Sequence, residues 1–171
     1  MKTLLLIEDE PDMVEVLFTI LDSRDTRVLL ALSGHEALEM LKQEPVDAVL
    51  TDVRMPEMSG IELVQRMRDL GFATPVVIMS GWADQQVILQ AMRIGVLDVI
   101  EKPFVREKMV STLKHALDLG ASVRRIQDEL KQVHGATADT RAHEMVRYLS
   151  VFLAKQELER AKQSSSVKSA A

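Results

Sequence analysis

The chain has 171 residues, 47% of them apolar and 27% charged, with a net charge of −5 and no cysteine. That length suits one ordinary domain with an appendage, and the composition is that of a protein with a packed core. The missing cysteines exclude disulfides, thiolate nucleophiles and cysteine-held zinc, and the acidic balance argues against a generally nucleic-acid-seeking surface.

Leu4-Leu5-Leu6-Ile7 is the first apolar run, and it ends in Glu8-Asp9. It is too short for a signal-peptide core, and no stretch approaches the roughly 18 apolar residues of a membrane span. A cytoplasmic protein is expected. Pro11 suits the first turn of a helix whose apolar face is Met13, Val16, Leu17, Ile20 and Leu21. After a run near 27–32, Ser33 and Glu36 read as a capping box ahead of Ala37, Leu38 and Leu41. Ala48-Val49-Leu50-Thr51 ends in Asp52, and Ser59 with Glu62 reads as a second box before Leu63, Val64 and Met67. Val76-Val77-Ile78-Met79 ends in Ser80, and Val87, Ala91 and Ile94 mark a fourth helix. Leu97-Asp98-Val99-Ile100 runs through Glu101 to Lys102, and Met109, Leu113, Ala116 and Leu117 mark a fifth helix.

Strands near 3–8, 27–32, 46–51, 75–80 and 96–101 alternating with helices predict an α/β fold with a doubly wound parallel sheet. Past residue 119 the strand pattern stops. Ala116, Leu119, Val123, Ile126, Leu130 and Val133 form a heptad stripe running on from the fifth helix. Residues 134–140 read as a loop, and 141–162 as another helix with Met145, Leu149, Phe152 and Leu153 on one side. The expected division is 1–119, a helical extension over 120–163, and a flexible tail over 164–171. Charge supports it: residues 1–119 carry 12 Lys+Arg against 20 Asp+Glu, whereas 120–171 carry 9 against 6.

Parallel strands bring their carboxyl ends to one edge, where open α/β sheets place their sites. Glu8, Asp9 and Asp52 would meet there, repel one another and raise at least one pKa. Magnesium resolves such a cluster, since it takes oxygen ligands and uses one or two carboxylates plus phosphate oxygens. Asp52 is then the candidate nucleophile for an aspartyl phosphate, with the Lys102 ammonium and the Ser80 hydroxyl facing the phosphoryl oxygens. Singly, each residue reads as a cap, a turn or a surface group; in this order, each at a strand end, they point to one pocket.

Four segments carry a resemblance: Leu-Leu-Leu-Ile-Glu-Asp-Glu-Pro at 4–11, Thr-Asp-Val-Arg-Met-Pro-Glu-Met-Ser-Gly at 51–60, Val-Ile-Met-Ser-Gly at 77–81 and Glu-Lys-Pro-Phe at 101–104. With them the chain resembles the receiver domains of two-component response regulators over roughly residues 1–119. The resemblance implies a flavodoxin-like five-stranded sheet of order 2-1-3-4-5. It makes Asp52 the residue phosphorylated by a sensor histidine kinase. Asp9 becomes a direct magnesium ligand, Glu8 acts nearby through water, and the Arg54 backbone carbonyl is a further ligand, with manganese as an alternative ion. Ser80 and Lys102 become the phosphate-contacting pair, and Lys102-Pro103 a cis peptide.

Glu8 stands where the family often has Asp, one methylene shorter, so tuning of the metal site is expected rather than loss. Val99 stands where many receivers carry Tyr or Phe, so the family's aromatic switch is not available in the same form. Trp82, two residues after Ser80, reads either as a loop cover or as a switching or shielding group. The expectation is a phosphoacceptor switch rather than an enzyme turning over a metabolite. It would act on an unidentified downstream protein and form a homodimer through the C-terminal helices. The competing readings are a phosphorelay intermediate passing phosphate to a histidine such as His143, and a scaffold that no longer switches.

Overall fold

The computed structural model describes residues 1–21, 23–81 and 85–134. Five strands, β1 (Lys2–Ile7), β2 (Thr26–Ala31), β3 (Ala48–Asp52), β4 (Val76–Ser80) and β5 (Asp98–Glu101), alternate with five helices. These are α1 (Pro11–Leu21), α2 (Gly34–Gln43), α3 (Gly60–Asp69), α4 (Gln85–Arg93) and α5 (Arg106–His134). All strand pairs are parallel, in the order β2-β1-β3-β4-β5. This is the flavodoxin-like order expected from the resemblance.

Strand alternation divides the core between the two faces. Leu5, Ile7, Val49, Val76 and Ile78 point to one side and pack with Leu38, Leu41, Leu63, Val64, Met67 and Ala91 of α2, α3 and α4. Leu4, Leu6, Leu50, Val77 and Met79 point to the other and meet Leu17 and Leu21 of α1 with Met109, Leu113 and Leu117 of α5. β3 and β4 are buried throughout and β1 nearly so, which explains their unbroken apolar runs. The edges differ: β2 buries fully only Ala31, and β5 only Ile100. One-sided neighbours leave edge strands half covered, so a uniform apolar run overstated them.

The helix starts follow local chemistry. Pro11 opens α1, where its missing N–H costs nothing. At Ser59 the capping box is reciprocal: Ser59 Oγ accepts from Glu62 N, and Glu62 Oε2 accepts from Ser59 N at 2.9 Å. At Ser33 only half forms. The hydroxyl accepts from Glu36 N, while the Glu36 carboxylate accepts from Leu32 N at 2.8 Å, one residue earlier.

α5 runs through residues 119 and 120 without a break, and its packing on the sheet continues beyond them. Leu119 and Val123 pack with Ala73 at the amino edge of the sheet. Gly120 lies so close to the backbone of Asp47 that any Cβ there would overlap its carbonyl oxygen. Asp47 itself is wholly buried; it accepts from Thr3 N at 2.7 Å and faces Arg124 Nη2, 2.9 Å from Oδ1 and 3.2 Å from Oδ2. Of the loop expected at 134–140, His134 instead closes α5, because the helix carries on one residue further than the glycine-containing stretch suggested; residues 135–140, the helix expected at 141–162 with His143, the tail expected at 164–171 and Trp82 lie outside the described residues. Among the described residues, no helix is long and apolar enough to cross a membrane.

Candidate functional site

The strand order reverses direction between β1 and β3, and open α/β sheets place their sites at the carboxyl ends of strands flanking such a switch point. β1 delivers Glu8 and Asp9 there, β3 ends in Asp52, β4 in Ser80, and Lys102 follows β5. The register fixes neighbours: Asp52 pairs with Met79 and Ser80 with Glu101, and Lys102 N donates to Ser80 O at 2.7 Å. The Lys102-Pro103 bond is cis.

Lys102 Nζ lies 2.8 Å from Asp52 Oδ1 and 3.3 Å from Glu8 Oε2. Glu8 is only 1% exposed, Asp52 8% and Ser80 3%. Asp52 Oδ2 accepts from Arg54 N at 2.9 Å, and Glu8 Oε1 accepts from Glu10 N at 3.4 Å. The sequence-predicted groups Glu8, Asp52 and Lys102 are therefore in contact. Ser80 is buried at the neighbouring strand end, and Asp9 follows Glu8, partly exposed at the rim. Val99 is half-buried and packs against the α2–α4 side of the sheet.

Electrostatics leave this cluster short of positive charge. Burial, the largest influence, pushes the Glu8 carboxyl up from 4.5; the Asp52 charge adds to this, while Lys102 opposes it without cancelling it. Burial pulls Lys102 down, but its hydrogen bond to Asp52 and the charges of Asp52 and Glu8 outweigh that, so its pKa rises above 10.5. One ammonium serves two buried carboxylates, with Asp9 beside them.

The surplus negative charge fits a hard divalent cation with oxygen ligands. Among the described residues, no three His, Asp or Glu side chains form a ready-made metal cage. Magnesium does not require one, because it keeps several waters and takes one or two carboxylates. Glu8, Asp9, Asp52 and the Arg54 carbonyl are the oxygen donors at hand.

Backbone packing holds the acceptor rigidly. Thr51 Oγ1 donates to Asp52 O at 3.1 Å, Val53 N to Met79 O at 3.0 Å, and Gly60 N to Val53 O at 2.9 Å. A Cβ at Gly60 would collide with Asp52 O, so only glycine lets α3 begin this close to the acceptor. Glu57 completes the loop at a positive φ of 63°. Arg54 extends toward the end of β4, where a Cβ on Gly81 would sit 3.4 Å from its Nη2. Sequence reasoning missed the roles of Thr51 and Gly60. The signal was their fixed spacing from Asp52 within the 51–60 segment.

A family model described as response regulator receiver domain matches residues 4–114. The transcriptional regulatory protein ZraR of Salmonella typhimurium is 33% identical over 114 residues, which is 67% of this chain and 26% of the relative. Regulatory protein AtoC of Escherichia coli is 30% identical over 133 residues, covering 78% of this chain and 28% of the relative. The chain thus spans about a quarter of the length of these relatives. Among solved structures, a response regulator from Chloroflexus aurantiacus superposes with a TM-score of 0.64 at 28% identity, over 68% of this chain and 98% of the other. The signal receiver domain of an HD domain-containing protein from Pseudomonas fluorescens gives a TM-score of 0.66 at 23% identity, over 71% and 98%, and supports the fold alone.

Proposed function

We proceed from the membership of this chain in the response regulator receiver family, and we propose that it is a phosphoacceptor switch charged at Asp52 by a sensor histidine kinase. The observation that carries this reading is the buried Asp52 carboxylate held 2.8 Å from the Lys102 ammonium at the carboxyl edge of the sheet. In the step, an Asp52 carboxylate oxygen forms a bond to phosphorus as the donor's N–P bond breaks. The donor histidine leaves with the electron pair and takes its proton from water. The transition state is loose, so positioning and charge neutralisation do most of the work. Lys102 faces the transferred oxygens, and the Ser80 hydroxyl donates to one of them once the group is in place. Bound magnesium, held by Asp9, Asp52, the Arg54 carbonyl and Glu8 through water, would supply the remaining positive charge.

Signalling follows from a two-state surface rather than turnover, so the chain is a switch and not a metabolic enzyme. Val99 offers no ring to swing, and we place the coupling in the backbone instead. Ser80 O accepts from Lys102 N, so drawing Ser80 toward a phosphoryl group pulls on the segment leading into α5. The output is then a change in how α5 and the segment after it meet a protein partner or a second copy. Some relatives are named as transcriptional regulators, and this chain does not span most of their length. Arg54 and Trp82 flank the phosphoryl group in this reading and slow attack by water. An unchanged Asp52 phosphate lifetime in Trp82→Ala would remove that role.

The test is to add magnesium with a small phosphodonor or beryllofluoride and follow fluorescence of the single tryptophan, Trp82, together with molecular mass. A saturable response in the wild type that vanishes in Asp52→Asn supports the switch. A wild-type protein that gains no phosphoryl mass and shows no fluorescence change overturns it.

A further inference from the structure

β3 and α5 are tied together near both ends of the strand, each time by a carboxylate and a cation. At the carboxyl edge Asp52, the last residue of β3, lies 2.8 Å from the Lys102 ammonium, shortly before α5 begins. At the amino edge Asp47, just ahead of β3, meets Arg124 of α5. Five residues of extended chain, roughly 17 Å, separate the two carboxylates. α5 is one uninterrupted helix from Arg106 to His134, so both ties act on the same rod. The rod has no slack toward the sheet at its amino-edge tie, because Gly120 lies against the Asp47 backbone and Leu119 and Val123 pack on Ala73.

The Arg124 tie is a loose one. Nη2 is the nitrogen facing both Asp47 oxygens, at 2.9 and 3.2 Å, whereas a forked pair would present two nitrogens in parallel. Asp47 Oδ1 accepts no hydrogen bond among the described residues. The Arg124 side chain stays 35% exposed while that of Asp47 is fully buried. A hollow of about 520 Å³, lined by Pro45, Ala121, Arg124, Arg125, Asp128 and Glu129, gives the guanidinium room to turn. Asp128 follows Arg124 by four residues, the spacing at which opposite charges on one helix face can pair. Arg124 thus stands between a buried acid, Asp47, and an exposed one, Asp128.

A phosphoryl group on Asp52 comes between that carboxylate and Lys102, so the ammonium must back away to face the new oxygens. The segment leading into α5 moves with it. The structure holds the resting arrangement, Lys102 on Asp52 and Arg124 on Asp47. A contact made only in the resting arrangement favours it and opposes the switch.

We propose that Arg124 is a two-position brake on the Asp52 switch. On Asp47 it holds α5 at rest and restrains phosphorylation; when α5 shifts, the guanidinium leaves the buried acid and turns to Asp128. The inference rests on the reading of Asp52 as the phosphoacceptor and places its regulation at the opposite edge of the sheet. Because coupling is reciprocal, releasing Arg124 makes Asp52 easier to charge.

Calorimetric titration of the full chain with beryllofluoride in magnesium measures the affinity of the switched state. Arg124→Gln should bind about fivefold more tightly than the wild type, the scale of a modest coupling between sites. Leu41→Ala, in the core on the face of the sheet away from α5, should lower stability and leave the affinity unchanged. Asp128→Lys is an exposed change that spares the core. It sets a like charge where the released guanidinium would lie and should weaken binding about twofold. Unchanged or weaker binding by Arg124→Gln, beside a wild type that binds, would overturn the brake and leave Asp52 as the acceptor. Equal tightening by Leu41→Ala would overturn it as well, since general loosening would then explain the gain. Asp128→Lys binding as tightly as the wild type would strike out the second position. A wild type that binds no beryllofluoride would remove the Asp52 reading and this inference together.

Discussion

The two edges of the sheet each bury carboxylate beside a cation, and they end in opposite states. At the amino edge one carboxylate, Asp47, meets one guanidinium, Arg124, and a backbone amide, Thr3 N. At the carboxyl edge two carboxylates, Glu8 and Asp52, share one ammonium, Lys102. The first arrangement is balanced and closes around a helix crossing with no room for a methyl group. The second holds more negative than positive charge at the strand ends, and burial first, then the neighbouring Asp52 charge, raise the pKa of Glu8. Burial alone does not mark a reactive site; the mismatch between buried charges does.

The balanced edge should break hardest under steric insult. Alanine for glycine inside a helix ordinarily stabilises, yet Gly120→Ala should cost on the order of 3 kcal/mol, because α5 must lift off Asp47. Urea denaturation checks this, and a neutral or stabilising result would mean α5 is not seated at Gly120. At the reactive edge, Lys102→Met should slow Asp52 phosphorylation about a hundredfold, the scale of one lost electrostatic contact in a transition state. Single-turnover labelling with a phosphodonor measures it.

Arg124→Met should cost roughly 1–2 kcal/mol, since it leaves Asp47 buried without its cation while the partly exposed arginine gives up less. The smallest effect separates the edges by pH. The Glu8 carboxyl is raised above 4.5, so the folded state holds that proton more tightly than the unfolded chain. The stability this adds is full below about pH 4.5 and drains as pH rises through the raised value. With metal chelated, Glu8→Gln should flatten that decline and match or exceed the wild type at neutral pH, by under about 1 kcal/mol. Thermal melts across pH 4–8 would show it; parallel curves for the two proteins would refute the raised Glu8 carboxyl.

Much of the carboxyl edge was legible because its groups terminate apolar runs. Glu8, Asp52, Ser80 and Lys102 each punctuate a strand, and parallel pairing then does the assembling. The amino edge was not legible, for a physical reason. Asp47 and Arg124 are 77 residues apart, and a lone acid before a strand reads as solvated until a helix lands on it. Gly120 read only as part of a change in composition, because close approach between backbones leaves no pattern in sequence. Arg68 is a similar case: its guanidinium donates to the carbonyls of Phe72, Thr74, Ile94 and Gly95, tying the end of α3 to the end of α4. Nothing along the chain distinguishes it from the exposed Arg66. The Ser33 and Glu36 pair shows the opposite limit, where a correct motif forms with its second bond moved by one residue.

The seat of α5 on Asp47 gives the helix a fulcrum. Gly120 lies midway between Arg106 and His134, so the two arms are equal in length. Each arm measures about 21 Å, and a tilt of about 3° therefore shifts either end by ~1 Å. Were α5 to pivot there as a rigid rod, a displacement at its Arg106 end would emerge at its His134 end with equal size and opposite direction, as on a seesaw.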